Sequence, residues 1–130
     1  MSPNWQVRAE YFFYRGSTKT YLGQFEEANK HFSLAVKKAQ ESNEPEVVAK
    51  SLLLIAQNHF QMGDLEQSYR GLCQLEQLLS ILSKGYLKGS MYLLYASIYN
   101  RRGEQSRAVD YYKRSLDELN KKSCWNLIGY

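Results

Sequence analysis

Apolar residues in this chain recur every three or four positions, which is the spacing of one face of a helix. In the segment that begins at Phe25, the residues Ala28 and Phe32 continue such a stripe. No segment alternates apolar and polar residues as a half-buried strand does. The pattern therefore predicts an all-α protein. Its stripes place the helices at about residues 6–22, 25–42, 46–62, 65–83, 86–101 and 105–121.

Evenly spaced glycines divide this pattern into repeating units. Gly23, Gly63 and Gly103 are 40 residues apart, and each follows the end of a predicted helix, where glycine takes the left-handed conformation at little cost. Pro45 suits the first turn of the next helix, and Gly85 is expected to close the second unit. A fixed period of this length is typical of stacked helical hairpins. We therefore predict a single domain of three units, at about residues 5–44, 45–84 and 85–124.

The end of the chain repeats its beginning, because Trp5 and Trp125 are separated by three periods. Residues 125–130 are therefore either the start of a fourth unit or a short turn that caps the last helix. Helical arrays usually need a polar capping helix, and none is evident after Lys122. We expect Trp125, Leu127 and Ile128 to form an open end, through which the chain self-associates or meets a missing neighbour.

When the three units are aligned on their glycines, some positions hold residues of similar size in every unit. Two positions hold only small residues, which close approach of two helices requires: Gly16, Ala56 and Ala96 in the first helix of each pair, and Ala28, Ser68 and Ala108 in the second. A third position holds large residues that fill the space around this contact: Phe32, Leu72 and Tyr112. Together with the run from Gly23 to Ala28, this arrangement resembles the tetratricopeptide repeat (TPR) family over about residues 6–121.

The resemblance implies a fold of tandem helix–turn–helix hairpins in a right-handed α–α superhelix. The period of 40 residues exceeds the usual 34 of the family, as in the long-repeat relatives of kinesin light chains and many bacterial regulators. Arg15 and Lys19 replace residues that the family prefers to be apolar, and Leu75 replaces a small one. We expect longer helices than in the common repeat.

The resemblance also implies a ligand site, since the first helices of such arrays line a concave groove that binds peptides. The lysine and asparagines with which one subfamily holds chaperone C-termini do not match here, so we expect an amphipathic or hydrophobic peptide as ligand. About half of the groove side chains could instead pack on a neighbouring unit. The predicted groove residues are Phe13, Ser17, Thr20, Tyr21, Leu53, Gln57, Phe60, Gln61, Leu93, Ser97, Asn100 and Arg101.

Composition and charge change this picture little. The chain has 130 residues, is 44% hydrophobic and 23% charged, and is ordinary in these respects for a soluble domain. Its eleven tyrosines suit either packing between helices or an interface. The net charge of +4 permits acidic partners, and basic residues concentrate in the last unit. Acidic residues such as Glu104 and Asp117 are interleaved with them, so we interpret this surface as a solvated helix face and not as a nucleic-acid site.

The sequence shows no chemistry of a catalytic or metal site. His31 and His59 are 28 residues apart and belong to no metal-ligand motif, and no catalytic motif occurs, so we predict no enzyme, metal or cofactor. Cys73 and Cys124 indicate a reduced, cytoplasmic setting. The longest apolar run, residues 52–56, is too short to cross a membrane, and the N-terminus does not resemble a signal peptide.

Three functions remain after these exclusions. By resemblance, the first is a non-catalytic scaffold that binds a protein or peptide partner in the groove. The second is the peptide-sensing or regulatory domain of a bacterial signalling protein or transcription regulator, of which this chain would be a fragment. The third is an RNA-binding helical repeat, which would need a basic stripe along all three units, whereas the basic residues lie mainly in one.

Overall fold

The computed structural model of the protein describes residues 8–82 and 84–127, with side chains as far as residue 121. This part of the chain contains six helices and no strand, which confirms the all-α prediction. Each helix packs against the next one along the chain, so the molecule is an array of three helical hairpins. The helices are α1 (Ala9–Tyr21), α2 (Phe25–Glu41), α3 (Pro45–Gln61), α4 (Leu65–Leu79), α5 (Gly85–Arg101) and α6 (Gln105–Leu127).

The three predicted turn glycines have positive φ, from 78° to 84°. After each of them, the next amide donates a hydrogen bond to a carbonyl five residues earlier, as in the 2.8 Å bond from Asp64 N to His59 O. This bond satisfies a carbonyl at the helix end that has no partner within the helix. Asn43, with φ of 55°, has the same role at the end of α2. The predicted positions of the hairpin turns are confirmed.

Gly63→Ala is expected to lower the free energy of unfolding by about 1 kcal/mol, because an L-residue is strained at positive φ. An added Cβ would meet no heavy atom within 4 Å, so the cost comes from the backbone alone. Urea denaturation followed by circular dichroism measures it. The matched control is Gly71→Ala inside α4, whose added Cβ would lie 3.4 Å from that of Ala56 and should raise stability by about 0.5 kcal/mol. Equal effects of the two substitutions would contradict this assignment.

The positions that hold only small residues lie where the two helices of a hairpin meet. Ala56 and Ser68 are both fully buried, and the Ser68 hydroxyl donates a 2.7 Å hydrogen bond to the backbone carbonyl of Ala56. In the third hairpin, Ser115 donates a similar bond of 2.8 Å to the carbonyl of Gly89. A side chain as short as serine can reach a facing backbone only when two helices are close, so the small residues permit this packing.

The largest part of the core lies between the second and third hairpins. Leu72, Leu75 and Leu79 of α4 are buried there together with Leu87 and Met91 of α5. Leu75, which departs from the small residue of the TPR pattern, is therefore a core residue that fills this junction. A smaller cluster joins the first hairpin to the second and is formed by Ala9, Ala39 and Val48.

Three helix ends differ from the sequence prediction. α4 ends at Leu79 and not at residue 83, and Gly85 begins α5 instead of closing the second unit. Gly85 corresponds to Pro45 one period earlier, and a first helical residue needs no amide partner within its helix. α6 continues to Leu127, so no turn separates Trp125 from it. The side chains of residues 125 and 127, and all of Ile128, lie outside the described residues.

Candidate functional site

A cleft of about 430 Å³ lies between the three first helices of the hairpins, with one contribution from the start of α2. Its volume is within the range of small-ligand sites. Six of the predicted groove residues come together in it: Thr20, Gln57, Phe60, Gln61, Leu93 and Ser97. Phe25, Asn58, Ser90 and Leu94 complete the lining. None of these ten residues is charged, so the cleft offers apolar surface and uncharged hydrogen-bonding groups.

The apolar part of the cleft is formed by one aromatic and several aliphatic side chains. Leu93 is 47% exposed, which is high for a leucine in a helix that is otherwise largely buried. Phe60 is half-buried, and the guanidinium carbon of Arg101 lies 4.5 Å from the centre of its ring. Arg101 belongs to the predicted groove and covers one side of Phe60 without lining the cleft. An apolar ligand group would therefore contact Leu93 and the uncovered part of Phe60.

The buried polar residue of the cleft is Asn58, which is 1% exposed. Its side-chain amide donates to the hydroxyl of Thr20 at 3.0 Å and to the side-chain carbonyl of Asn29 at 2.9 Å. These bonds connect α3 to both helices of the first hairpin and fix the cleft wall. Sequence reasoning missed Asn58, although the sequence contained one signal. The third hairpin has the apolar residue Ile98 at the same position, and the structure shows Ile98 to be fully buried.

Two of the predicted groove residues belong to the packing of the array. Leu53 is 6% exposed and is part of the main core. The ring of Phe13 lies 5.7 Å from that of Phe32, and the Lys50 ammonium lies 5.5 Å from the Phe13 ring centre. Both side chains therefore serve packing between helices.

The remaining three predicted residues also lie outside the cleft lining. Ser17 is half-buried, Asn100 is exposed, and Tyr21 at the end of α1 is 91% exposed. The predicted groove positions thus divide into a cleft in the middle of the array and a periphery.

A cluster of five tyrosines joins α4, α5 and α6: Tyr69, Tyr92, Tyr95, Tyr99 and Tyr111. Tyr95 is 2% exposed, and its hydroxyl donates to a carboxylate oxygen of Glu76 at 2.9 Å. Burial is the main cause that raises the pKa of Tyr95, with Cys73 and Glu76 acting in the same direction. A hydrogen bond with Tyr99 is the main cause that raises the pKa of Tyr69 to about 12. These tyrosines pack between helices, and none of them lines the cleft.

Arginines of the last unit lie against the tyrosine cluster. The guanidinium carbons of Arg102, Arg107 and Arg114 lie 5.4, 5.6 and 4.8 Å from tyrosine ring centres, which is the range of cation–π contacts. Lys121 pairs with Glu118 at 3.6 Å. Many of the basic side chains of the last unit therefore contact tyrosine rings or carboxylates of the protein itself.

A second hollow, of about 750 Å³, lies beside α4 and contains charged groups. Within it, Arg70 and Glu66 form an ion pair of 2.7 Å, and Arg102 stacks on Tyr69. The charges of this hollow have partners in the protein, and its lining does not include the residues predicted for the groove.

Comparisons with known proteins give no relative: no family model, curated protein or solved structure matches the chain. Within the described residues, no group of three or more His, Cys, Asp or Glu side chains is arranged to hold a metal ion. None of the described helices combines the length and the apolar character that a membrane-spanning segment needs.

Proposed function

We propose that this chain is a non-catalytic binding module of the TPR type, which holds a short, uncharged peptide segment in the cleft between α1, α3 and α5. The observation that carries the proposal is the lining of the cleft, which combines exposed apolar surface with uncharged polar groups and no ionisable side chain. A charged ligand group would lose its hydration there and gain no charged partner from the ten lining residues. Arg101 lies beside Phe60 but outside this lining. A peptide segment with apolar side chains loses little favourable hydration when it enters the cleft.

Glutamine side chains supply the polar contacts in this proposal. Gln57 and Gln61 are four residues apart on α3, so they lie one turn apart on the same face. A glutamine amide can both donate and accept hydrogen bonds, as a peptide backbone also does. An extended segment can therefore bond through its backbone to Gln57 and Gln61, while an apolar side chain contacts Leu93 and Phe60.

Leu93→Glu is expected to weaken peptide binding at least tenfold, because it places a charge without a partner against the bound segment. The probe is a displayed library of random peptides, selected on the wild-type chain and then measured individually by isothermal titration calorimetry. Selected peptides should be poor in charged residues. Leu34→Glu is the matched control: Leu34 is 42% exposed on α2 and does not line the cleft, so binding should be retained. Selected peptides that bind the Leu93→Glu variant as tightly as wild type would disprove the cleft as the site.

We also propose a cytoplasmic location for the module. Cys73 is a free, half-buried thiol, and such thiols persist where the surroundings are reducing.

A further inference from the structure

The junction between two consecutive units has two sides, one from each unit. Each end of the array leaves one of these two sides exposed. One exposed side is a stripe on α6 formed by Val109, Tyr112, Leu116 and Leu119, here called the α6 end face. Spacings of three, four and three residues place these side chains on one side of the helix, and all four are exposed, from 37% to 57%. Apolar side chains that form such a continuous exposed stripe are typical of an interaction surface.

The earlier units show what normally covers the α6 end face. Tyr112 corresponds to Leu72 and Phe32, one and two periods earlier, and both of these are fully buried. Val109 corresponds to Tyr69, whose ring lies 5.6 Å from that of Tyr95 on α5. Leu119 corresponds to Ala39 and Leu79. Ala39 is buried with Val48 of the following hairpin, and Leu79 is buried in the core that includes α5. At the positions of Val109 and Leu119, the second helix of a unit is therefore covered by the first helix of the next unit, whereas Phe32 also packs on Gly16 and Phe13 of its own hairpin.

The other exposed side lies on α1. Tyr14 is 66% exposed, whereas Leu94, at the same position of α5, is 7% exposed. Thr18 is exposed, and its counterpart in α3 is Asn58, which is 1% exposed. The hydrogen bonds of Asn58 to Thr20 and Asn29 show that this position faces the preceding unit. A surface cleft of about 510 Å³ includes Tyr14 and Thr18 in its lining, and we call it the α1 end face.

We propose that the α6 end face of one copy binds the α1 end face of a second copy, so that the hairpin array continues from one molecule into the next. The chain already forms this kind of junction twice, between α2 and α3 and between α4 and α5. A third junction between copies would use the same sequence positions on both sides, and it needs no new type of packing. The contact joins two different surfaces and does not close on itself, so it produces open chains of increasing length.

This proposal does not depend on the cleft, since neither end face includes Leu93 or Gln57. The association buries only one helix-to-helix junction per contact, which is a small area for a protein interface. We therefore expect assembly that grows with concentration, and not a complex of fixed size.

The test uses two variants that each block one end: Tyr14→Glu on α1 and Leu116→Glu on α6. Both side chains are more than half exposed, so the variants should fold, as circular dichroism can verify. In sedimentation velocity, the wild-type mass should rise with concentration between about 10 µM and about 1 mM. Each variant alone should remain a monomer. An equimolar mixture should form a one-to-one dimer, because the intact α6 end face of the Tyr14→Glu variant meets the intact α1 end face of the other.

Several results would overturn the proposal. A wild-type monomer at every concentration would show that the end faces do not bind each other. Association of the Tyr14→Glu variant alone would indicate a symmetric contact between α6 helices, and a mixture that stays monomeric would exclude head-to-tail packing. The Leu34→Glu variant should associate as wild type does, because Leu34 is 42% exposed on α2 and belongs to neither end face.

Discussion

Gly16→Ala should lower the free energy of unfolding by about 1–3 kcal/mol, the usual cost of overfilling a packed core. A Cβ added to Gly16 would lie 2.7 Å from Cε1 and 2.8 Å from Cδ1 of Phe32. The ring of Phe32 is fully buried, and the ring of Phe13 lies against it at 5.7 Å, so it cannot move aside freely. Urea denaturation of the variant measures the loss.

A second substitution shows whether this clash is the cause. The second hairpin has Ala56 and Leu72 at the positions of Gly16 and Phe32, and both are fully buried. The Gly16→Ala substitution should therefore cost less than half as much in a Phe32→Leu background, where the first hairpin copies the second. Energies that simply add in this double-mutant cycle would show that Gly16 is small for another reason.

Alkaline pH should destabilise the protein strongly through the tyrosine cluster. The pKa of Tyr69 is raised to about 12, and burial also raises the pKa of Tyr95 and of Tyr111. Unfolded tyrosine ionises at a pKa near 10. Between this value and the folded values, the unfolded state has released protons that the folded state still binds. The free energy of unfolding must therefore decrease as the pH rises above about 10.

Urea denaturation at about pH 8 and about pH 11 measures this decrease, with tyrosinate absorbance recorded in parallel. Tyr95→Phe is the matched variant, since it removes one ionisable group and keeps the ring that stacks on Tyr111 at 5.0 Å. It should cost about 1 kcal/mol at neutral pH, because the hydrogen bond to Glu76 is lost. Its stability should also fall less steeply above about pH 10. An unchanged fall would mean that Tyr95 ionises as readily in the folded protein as in the unfolded one.

The hairpin turns could be predicted from the sequence because each one depends on a single residue. The positive φ at residue 63 is itself the reason for a glycine there, so residues elsewhere in the fold do not affect the prediction. The end of α4 depends on more than local sequence. Leu79 and Leu82 continue the apolar spacing of the helix, and no glycine or proline occurs between them, so the pattern alone extends the helix too far.

The cleft could be predicted only in part, because a position in the repeat fixes the direction of a side chain and not what covers it. Phe13, Leu53 and Leu93 share one position. Leu53, in the middle unit, is 6% exposed, whereas Leu93, in the last unit, is 47% exposed. The difference follows from their neighbours, since hairpins lie on both sides of the middle unit. The role of Asn58 could not be predicted for a similar reason, because its hydrogen-bond partners Thr20 and Asn29 are 38 and 29 residues away in the chain.

The dependence of each helix on its near neighbours also bears on how the protein folds. Helices pack mainly on the next helix and on the one after it, and the hydrogen bond from Tyr86 to Glu46 spans 40 residues, a single period. Folding therefore requires no long loop to close, and the entropy lost before the first stabilising contacts form is small. Chains with such local contacts fold in microseconds to milliseconds. Any of the three hairpins can form first, and the others can then add to it.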